Sequence, residues 1–256
     1  YTLCGKDRIH PSTDGHLVMA YLFLKAQGLA GKPVADIRID GAGKKVTRSD
    51  NCRVSDLSVS SDNLTFTYEA KSLPYPIDTS YYDNEKHTQA DALSVISFMD
   101  EMNYEGLSVS GLSDGYYGLT IGGEFIGRFT ARELERGINM ALLQNTPQYK
   151  QAMKIRQMNE ERWLKERKMR EFYWVEYNLM RKTGMLWACN EAAVDTLRKY
   201  RPHDIFLQWN GDLWLQYMHK GIREDCVNEQ QDLVNQIYEQ NKPIPLRIEI
   251  KKFTDL

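Results

Sequence analysis

Asp7-Arg8-Ile9-His10-Pro11 sets a carboxylate three residues before an imidazole, in a short segment that leads into an apolar run. At that spacing the carboxylate can accept a hydrogen bond from Nδ1–H of His10. Nε2 is then free to take a proton from a hydroxyl nucleophile, as in a serine-type triad. A second pattern, Gly111-Leu112-Ser113-Asp114-Gly115, matches the Gly-x-Ser-x-Gly elbow that exposes a nucleophilic serine. Its flanks argue against that use. An elbow joins a strand to a helix, whereas Leu107–Val109 and Tyr117–Ile121 alternate like two strands of a hairpin. The elbow serine also precedes its Asp and His along a chain, and here it follows them. A Ser-Asp-Gly turn accounts for these residues without chemistry.

The Asp-x-x-His loop should be carried by a helix over about 13–27. Leu17, Val18, Met19, Ala20, Tyr21, Leu22, Phe23 and Leu24 leave it almost no polar face, so burial on most sides is expected. Gly28 stands where a left-handed C-cap belongs. His16 is placed to cap or pack under the loop. Strand patterns follow at Val34–Ile39, Lys44–Thr47, Val54–Val59 and Leu64–Tyr68, with turns at Gly41-Ala42-Gly43 and Ser61-Asp62-Asn63. A helix is expected over about 88–101, then strands at 107–109, 116–121 and 125–129, with Gly122-Gly123 as a tight primed turn. Thr130-Ala131-Arg132-Glu133 is a capping box that opens another helix. Pro147 suits the first turn of a long helix reaching about Lys182, before Thr183-Gly184. Shorter helices should cover about 190–200, 212–219 and 228–241, and Leu246–Ile250 reads as a final strand that pairs with the β-rich region.

Several of these stretches resemble one family. The segment from Asp7 to Gly28 resembles the last loop and helix of bacterial SGNH (GDSL-type) hydrolases. Val109–Leu112, Gly115–Gly123, Phe129–Leu134 and Gly137–Ala141 resemble the accessory region that trails the core in a secreted subgroup of those enzymes. The likeness covers roughly residues 1–155. It implies that Asp7 orients His10 and that His10 is the general base of acyl-serine ester hydrolysis. It also implies a nucleophile in a Gly-Asp-Ser block and an oxyanion hole with a Gly-x-Asn-Asp block; neither occurs in this sequence. The expected architecture is therefore α+β: the terminal loop and helix of an SGNH flavodoxin-like α/β core at 1–31, a β-hairpin-rich accessory module with one inserted helix at 32–130, and a mainly helical region at 131–256. The expected partners are an ester substrate, acylated carbohydrates among them, and the N-terminal half of the same hydrolase. No cofactor is implied, the site is extracytoplasmic, and the chain alone should be inactive. The rival expectation is a non-catalytic accessory or carbohydrate-binding module in which Asp7 and His10 are structural.

Composition agrees with a globular chain. Apolar residues make up 42% and charged residues 27%, with a formal net charge of −2, which gives no overall attraction to nucleic acid or membrane. No apolar run approaches the ~20 residues of a membrane span. Cys4, Cys52, Cys189 and Cys226 form no Cys-x-x-Cys and read as free or structural thiols. His87, His203 and His219 have no ligand-like neighbours, so no metal is expected. Residues 148–182 hold ten Lys/Arg against five Glu, with Trp163, Phe172, Tyr173 and Trp174 interleaved. Glu161–Lys165 and Glu166–Arg170 pair as a solvated helix face, the simpler reading than a polyanion-binding helix. Trp187, Trp209 and Trp214 read as core or interface anchors; the β-rich module reads first as plain architecture, with the alternative that Phe66, Tyr68, Tyr75, Tyr81 and Tyr82 wall a substrate cleft.

Overall fold

The computed structural model describes residues 2–5, 7–80 and 87–253, so Tyr81 and Tyr82 of the expected cleft lie outside the described residues. The protein is α+β, with two sheets and a helical region late in the chain. It forms two compact units: Tyr1–Lys154 with Asn241–Leu256, and Ile155–Gln240.

In the first unit, α1 (Thr13–Ala26) is followed by β1 (Ala35–Asp40), β2 (Lys45–Asp50), β3 (Cys52–Val59) and β4 (Asn63–Ala70). After the short α2 (Phe98–Glu101) come β5 (Glu105–Ser110), β6 (Tyr116–Ile121), β7 (Glu124–Thr130), α3 (Ala131–Arg136) and β8 (Ile138–Asn139). The long α4 (Pro147–Val175) begins in this unit and continues in the second, and β9 (Leu246–Lys252) returns to the first. One sheet has the order β2-β1-β5-β8, with β1 and β5 parallel; the other has the order β3-β4-β9-β6-β7 and is antiparallel. The final strand thus pairs on both sides, with β4 and β6, and sits at the centre of its sheet. Inward residues of both sheets share one core: Ile37, Ile39, Leu107 and Val109 from one, Leu64, Phe66, Leu119, Ile248 and Ile250 from the other.

This core corrects two expectations. Phe66 and Tyr68 are fully buried in it rather than walling a cleft, because the alternation of β4 turns both toward the facing sheet. β5 and β6 belong to different sheets, so the Gly111–Gly115 turn carries the chain between sheets and closes no hairpin. The primed turn at Gly122-Gly123 does join β6 to β7, with φ of +60° and +85°.

The expected helix over 88–101 is interrupted. A 3₁₀ turn covers Gln89–Ser94 and a single α-turn covers Phe98–Glu101. Asp91 accepts from the Thr88 backbone N–H (2.6 Å), and Ser94 Oγ donates to the Asp91 carbonyl (2.7 Å), so side chains take up groups a continuous helix would use. Helix α1 is buried on one side only. Leu17, Val18 and Tyr21 pack with Ile77, Ala92, Phe98 and Met99, while Met19, Leu22 and Phe23 are more than half exposed.

The second unit is helical. Beyond Val175 the ladder of α4 widens into one π-helical turn, Glu176–Met180, and Gly184 (φ +74°) marks the end. Then come α5 (Glu191–Tyr200), α6 (Ile205–Tyr217) and α7 (Lys220–Gln240) around Phe172, Val175, Met180, Leu197 and the fully buried Trp214. Trp214 is the core anchor expected of it; Trp187 is about half exposed and Trp209 largely so. The solvated face expected of α4 is present, with Glu161–Lys165 at 3.8 Å and Glu166–Arg170 at 3.7 Å along its surface.

Candidate functional site

The segment from Leu3 to Ser12 folds back on itself as a small loop docked on the start of α1. Gly5 N–H donates to the His10 carbonyl (2.8 Å), Arg8 N–H to the Gly5 carbonyl (3.0 Å), and Ser12 N–H to the Leu3 carbonyl (3.1 Å). Docking is close. A Cβ on Gly15 would fall 2.1 Å from the Leu3 carbonyl oxygen, so only glycine allows the loop to lie against the first turn of the helix. Beneath it, the fully buried Asp14 accepts from Ser12 Oγ and from the Gly15 N–H at 2.8 Å.

Asp7 organises the loop's tip. Its Oδ1 accepts from the backbone N–H groups of Ile9 (3.0 Å) and His10 (3.1 Å), and its Oδ2 meets His10 Nδ1 at 2.5 Å. Arg8, between them, takes a left-handed φ of +59°, a conformation costly for a non-glycine residue and common at functional turns. The His10 side chain is 82% exposed and that of Asp7 47%. The His10 side-chain bond, then the two backbone N–H groups, lower the Asp7 pKa to about 2, so the carboxylate persists to strongly acidic pH. With Nδ1 engaged, Nε2 of His10 points at no partner among the described residues. The arrangement can hold one tautomer and offer a basic nitrogen to a hydroxyl brought to it.

Other candidates are placed elsewhere. His16 is exposed rather than tucked under the loop, since its position on α1 faces away from the packed side. His87 Nδ1 lies 3.9 Å from Asp14 Oδ2. Ser113 Oγ lies 3.1 Å from Tyr117 Oη and accepts from Lys252 Nζ at 2.7 Å, and no histidine bonds it among the described residues. Among the described residues no group of three His, Cys, Asp or Glu side chains could hold a metal ion, and no helix is long and apolar enough to cross a membrane. All four cysteines are free thiols. Cys189 Sγ and His219 Nδ1 approach to 3.4 Å, a pair that the spacing of thirty residues concealed.

One buried cluster escaped the sequence reading. Glu105 is fully buried at the start of β5; its Oε1 accepts from Tyr68 Oη (2.8 Å) and Gln148 Nε2 (3.3 Å). Burial raises its pKa to about 7 against the opposing pull of those two bonds. A signal existed: Glu105 shares the register of Leu107 and Val109, the inward face of the strand.

Comparisons with known proteins bear on the helical unit and on the chain as a whole. Residues 153–242 match a family described as the diltiazem deacetylase C-terminal helical domain. A solved structure of a gut microbial diltiazem-metabolizing enzyme superposes with a TM-score of 0.93 at 40% sequence identity. That match covers 99% of this chain and 57% of the other, so the chain spans little more than half of the enzyme it matches. A comparison with curated proteins found no match.

Proposed function

We propose that this chain is the C-terminal part of an SGNH-type serine ester hydrolase in which Asp7 and His10 supply the orienting carboxylate and the general base. The observation that carries the reading is the Asp7–His10 bond in an exposed, backbone-pinned loop that leaves Nε2 open. A likeness to a diltiazem-metabolizing enzyme over nearly the whole chain supports ester hydrolysis as the reaction class, and the 57% coverage of that enzyme leaves room for a further segment. The exposed row Met19, Leu22 and Phe23 on α1 supports the same idea, being the kind of surface a neighbouring α/β core would cover.

On this reading His10 Nε2 removes the proton from a serine hydroxyl contributed by the preceding segment, and the alkoxide adds to the ester carbonyl carbon. The imidazolium, steadied by Asp7, returns that proton to the departing alcohol as the tetrahedral intermediate collapses to an acyl-serine. Water, deprotonated by the same nitrogen, then releases the acid. The substrates are small acyl esters, acylated carbohydrates among them, and the enzyme acts outside the cytoplasm.

The test uses the longer protein. Fluorophosphonate should label one serine outside residues 1–256, located by mass spectrometry, and His10→Ala should abolish both labelling and turnover of an acetyl ester. Turnover retained by His10→Ala would sink the assignment and leave a binding role for the accessory region.

A further inference from the structure

Among the described residues, the buried acids Asp36, Asp14 and Glu176 all find partners. Asp36 on β1 meets Arg38 (3.1 Å) and Arg48 (2.9 Å). Asp14 accepts from Ser12 Oγ and a backbone N–H. Glu176, in the π-helical turn, accepts from Trp187 N–H on Oε2 and from Trp214 Nε1–H on Oε1, both at 2.8 Å. Glu105 differs. It has no cation, and both its donors fall on Oε1. Its Oε2 is buried without a hydrogen-bond partner, and so is Oε1 of its neighbour Gln148. Two orphaned acceptors on adjacent, bonded side chains are costly as they stand, because each forfeits its hydration with no bond in return.

A single proton removes the conflict. We propose that Glu105 resides in the fold as the neutral carboxylic acid, its Oε2–H serving Gln148 Oε1 beside the existing Gln148 Nε2–H···Oε1 bond, so that β4, β5 and the first turn of α4 are joined by a proton-dependent latch. An acid and an amide set side by side in this way exchange two parallel hydrogen bonds, and every buried polar atom of the trio is then used. The groups that face Glu105 permit this. From β4 comes the Tyr68 phenol, and beside it the Cys52 thiol of β3; burial raises the pKa of both. From β8 comes Asn139, whose Oδ1 accepts the Glu105 backbone N–H at 2.9 Å, and from α4 comes Gln148; neither carries charge. On β1 the residue paired with Glu105 is Ala35, and Asp36 next to it falls on the opposite face of the sheet with its two arginines. No ion pair reaches Glu105 among the described residues. The raised pKa of about 7, set by burial, agrees with the neutral form below neutrality.

The consequence follows from linkage. A carboxyl whose folded pKa is raised contributes stability fully present below its unfolded pKa, near 4.5, and lost as pH rises through about 7. Losing the proton would put a charge between two sheets and an amide oxygen that repels it, loosening α4's first turn from both.

The measurement is denaturant unfolding of the chain and its Glu105→Gln variant from pH 5 to 9. The substituted side chain presents an amide oxygen to Tyr68 and an amide N–H to Gln148, copying the protonated acid at every pH. Between pH 5 and 7 the wild-type folding constant should fall relative to the variant by up to about tenfold per pH unit, the limit for one proton. At pH 8 the variant should be the more stable protein. Parallel profiles would overturn the proposal. Should the variant not fold, carboxyl-carbon NMR of the wild type decides: a Glu105 resonance that titrates near neutrality supports the latch, and one that titrates in the ordinary glutamate range refutes it.

Discussion

Asp7 and Glu105 are carboxylates of the same compact unit, and their surroundings push them in opposite directions. Asp7 sits at the tip of an exposed loop with three hydrogen-bond donors converging on its two oxygens, which lowers its pKa to about 2. Glu105 lies between two sheets with donors on one oxygen only, and burial lifts its pKa to about 7. Donor count and access to water account for most of the contrast, and the coulombic pull of His10 on Asp7 is the smallest contribution. The lesson concerns roles. On the proposed function the group poised for chemistry is the exposed one, whose task would be to hold a charge steadily beside an imidazole open to a substrate. The group with the perturbed, near-neutral pKa is enclosed by Tyr68, Gln148 and Asn139, where no substrate arrives, and its shift is a matter of folding. A near-neutral pKa alone would have pointed to the wrong residue.

The largest effect that could break this comparison is catalytic. Asp7→Asn in the longer protein keeps the loop's Oδ1 acceptor but offers an amide N–H to His10 Nδ1, favouring the wrong tautomer. Ester turnover should drop by about 10³–10⁴-fold, the scale seen when a triad carboxylate is lost, while the folded state is little changed. A loss of tenfold or less would mean that Asp7 merely shapes the loop. The pH profile should carry no acid limb from Asp7 above about pH 3, because its carboxylate is already ionised there.

The next effect sharpens the comparison by applying one substitution to two buried glutamates. Glu105→Gln supplies the N–H that Gln148 lacks and should stabilise the protein above neutral pH. Glu176→Gln does the reverse: Trp187 N–H and Trp214 Nε1–H each need an oxygen, and an amide has one. One buried donor is left facing another, at a cost of about 1–3 kcal/mol. Trp187, whose N–H makes one of those bonds, has φ +63°, and its indole should also lose its place against Tyr173 and Tyr177. Thermal unfolding followed by tryptophan fluorescence at pH 8 reads both changes. Equal shifts for the two variants would remove the distinction between an acid that needs its proton and one that accepts two.

How far the sequence reveals all this depends on the range of the interaction. The strands were legible because apolar residues alternate in β1, β4, β6 and β9, and the Thr130–Glu133 capping box appears as read, with Glu133 N–H donating to Thr130 Oγ1 at 3.1 Å. Asp7–His10 was legible for the same reason: three residues separate the partners. Sheet membership was not, since nothing local to Gly111–Gly115 says that β5 and β6 part company. Helix α6 starts at Ile205, ahead of the helix expected over about 212–219. In the structure Asp204 Oδ1 caps the helix through Phe206 and Leu207 N–H groups, and Gly211 makes room for Arg201, which clasps Asp212. Helix α1 was read as buried on most sides from composition, which cannot say whether the partner for Met19, Leu22 and Phe23 is in the same fold. Glu105 was hidden most deeply, its partners lying 37 and 43 residues away.

The smallest expected effect concerns the serine that the structure sets apart from any histidine. Ser113→Ala removes the hydroxyl from the one Gly-x-Ser-x-Gly pattern in the sequence, and little should follow. Tyr117 Oη keeps its bond to the Ser113 backbone carbonyl at 2.9 Å, and the half-buried Lys252 regains water at Nζ in place of Oγ. Gly111 and Gly115 hold φ values of +73° and +141° that set the turn without help from the serine side chain. Stability should move by no more than about 0.5 kcal/mol, as for ordinary surface positions, and fluorophosphonate labelling of the longer protein should be unaltered. An elbow serine would behave otherwise, because its hydroxyl must meet an imidazole and the strand must feed a helix; here strand leads to strand, and the nearest cation is a lysine. Loss of labelling on this substitution would transfer the nucleophile to β5–β6 and strip the Asp7–His10 loop of the role argued for it.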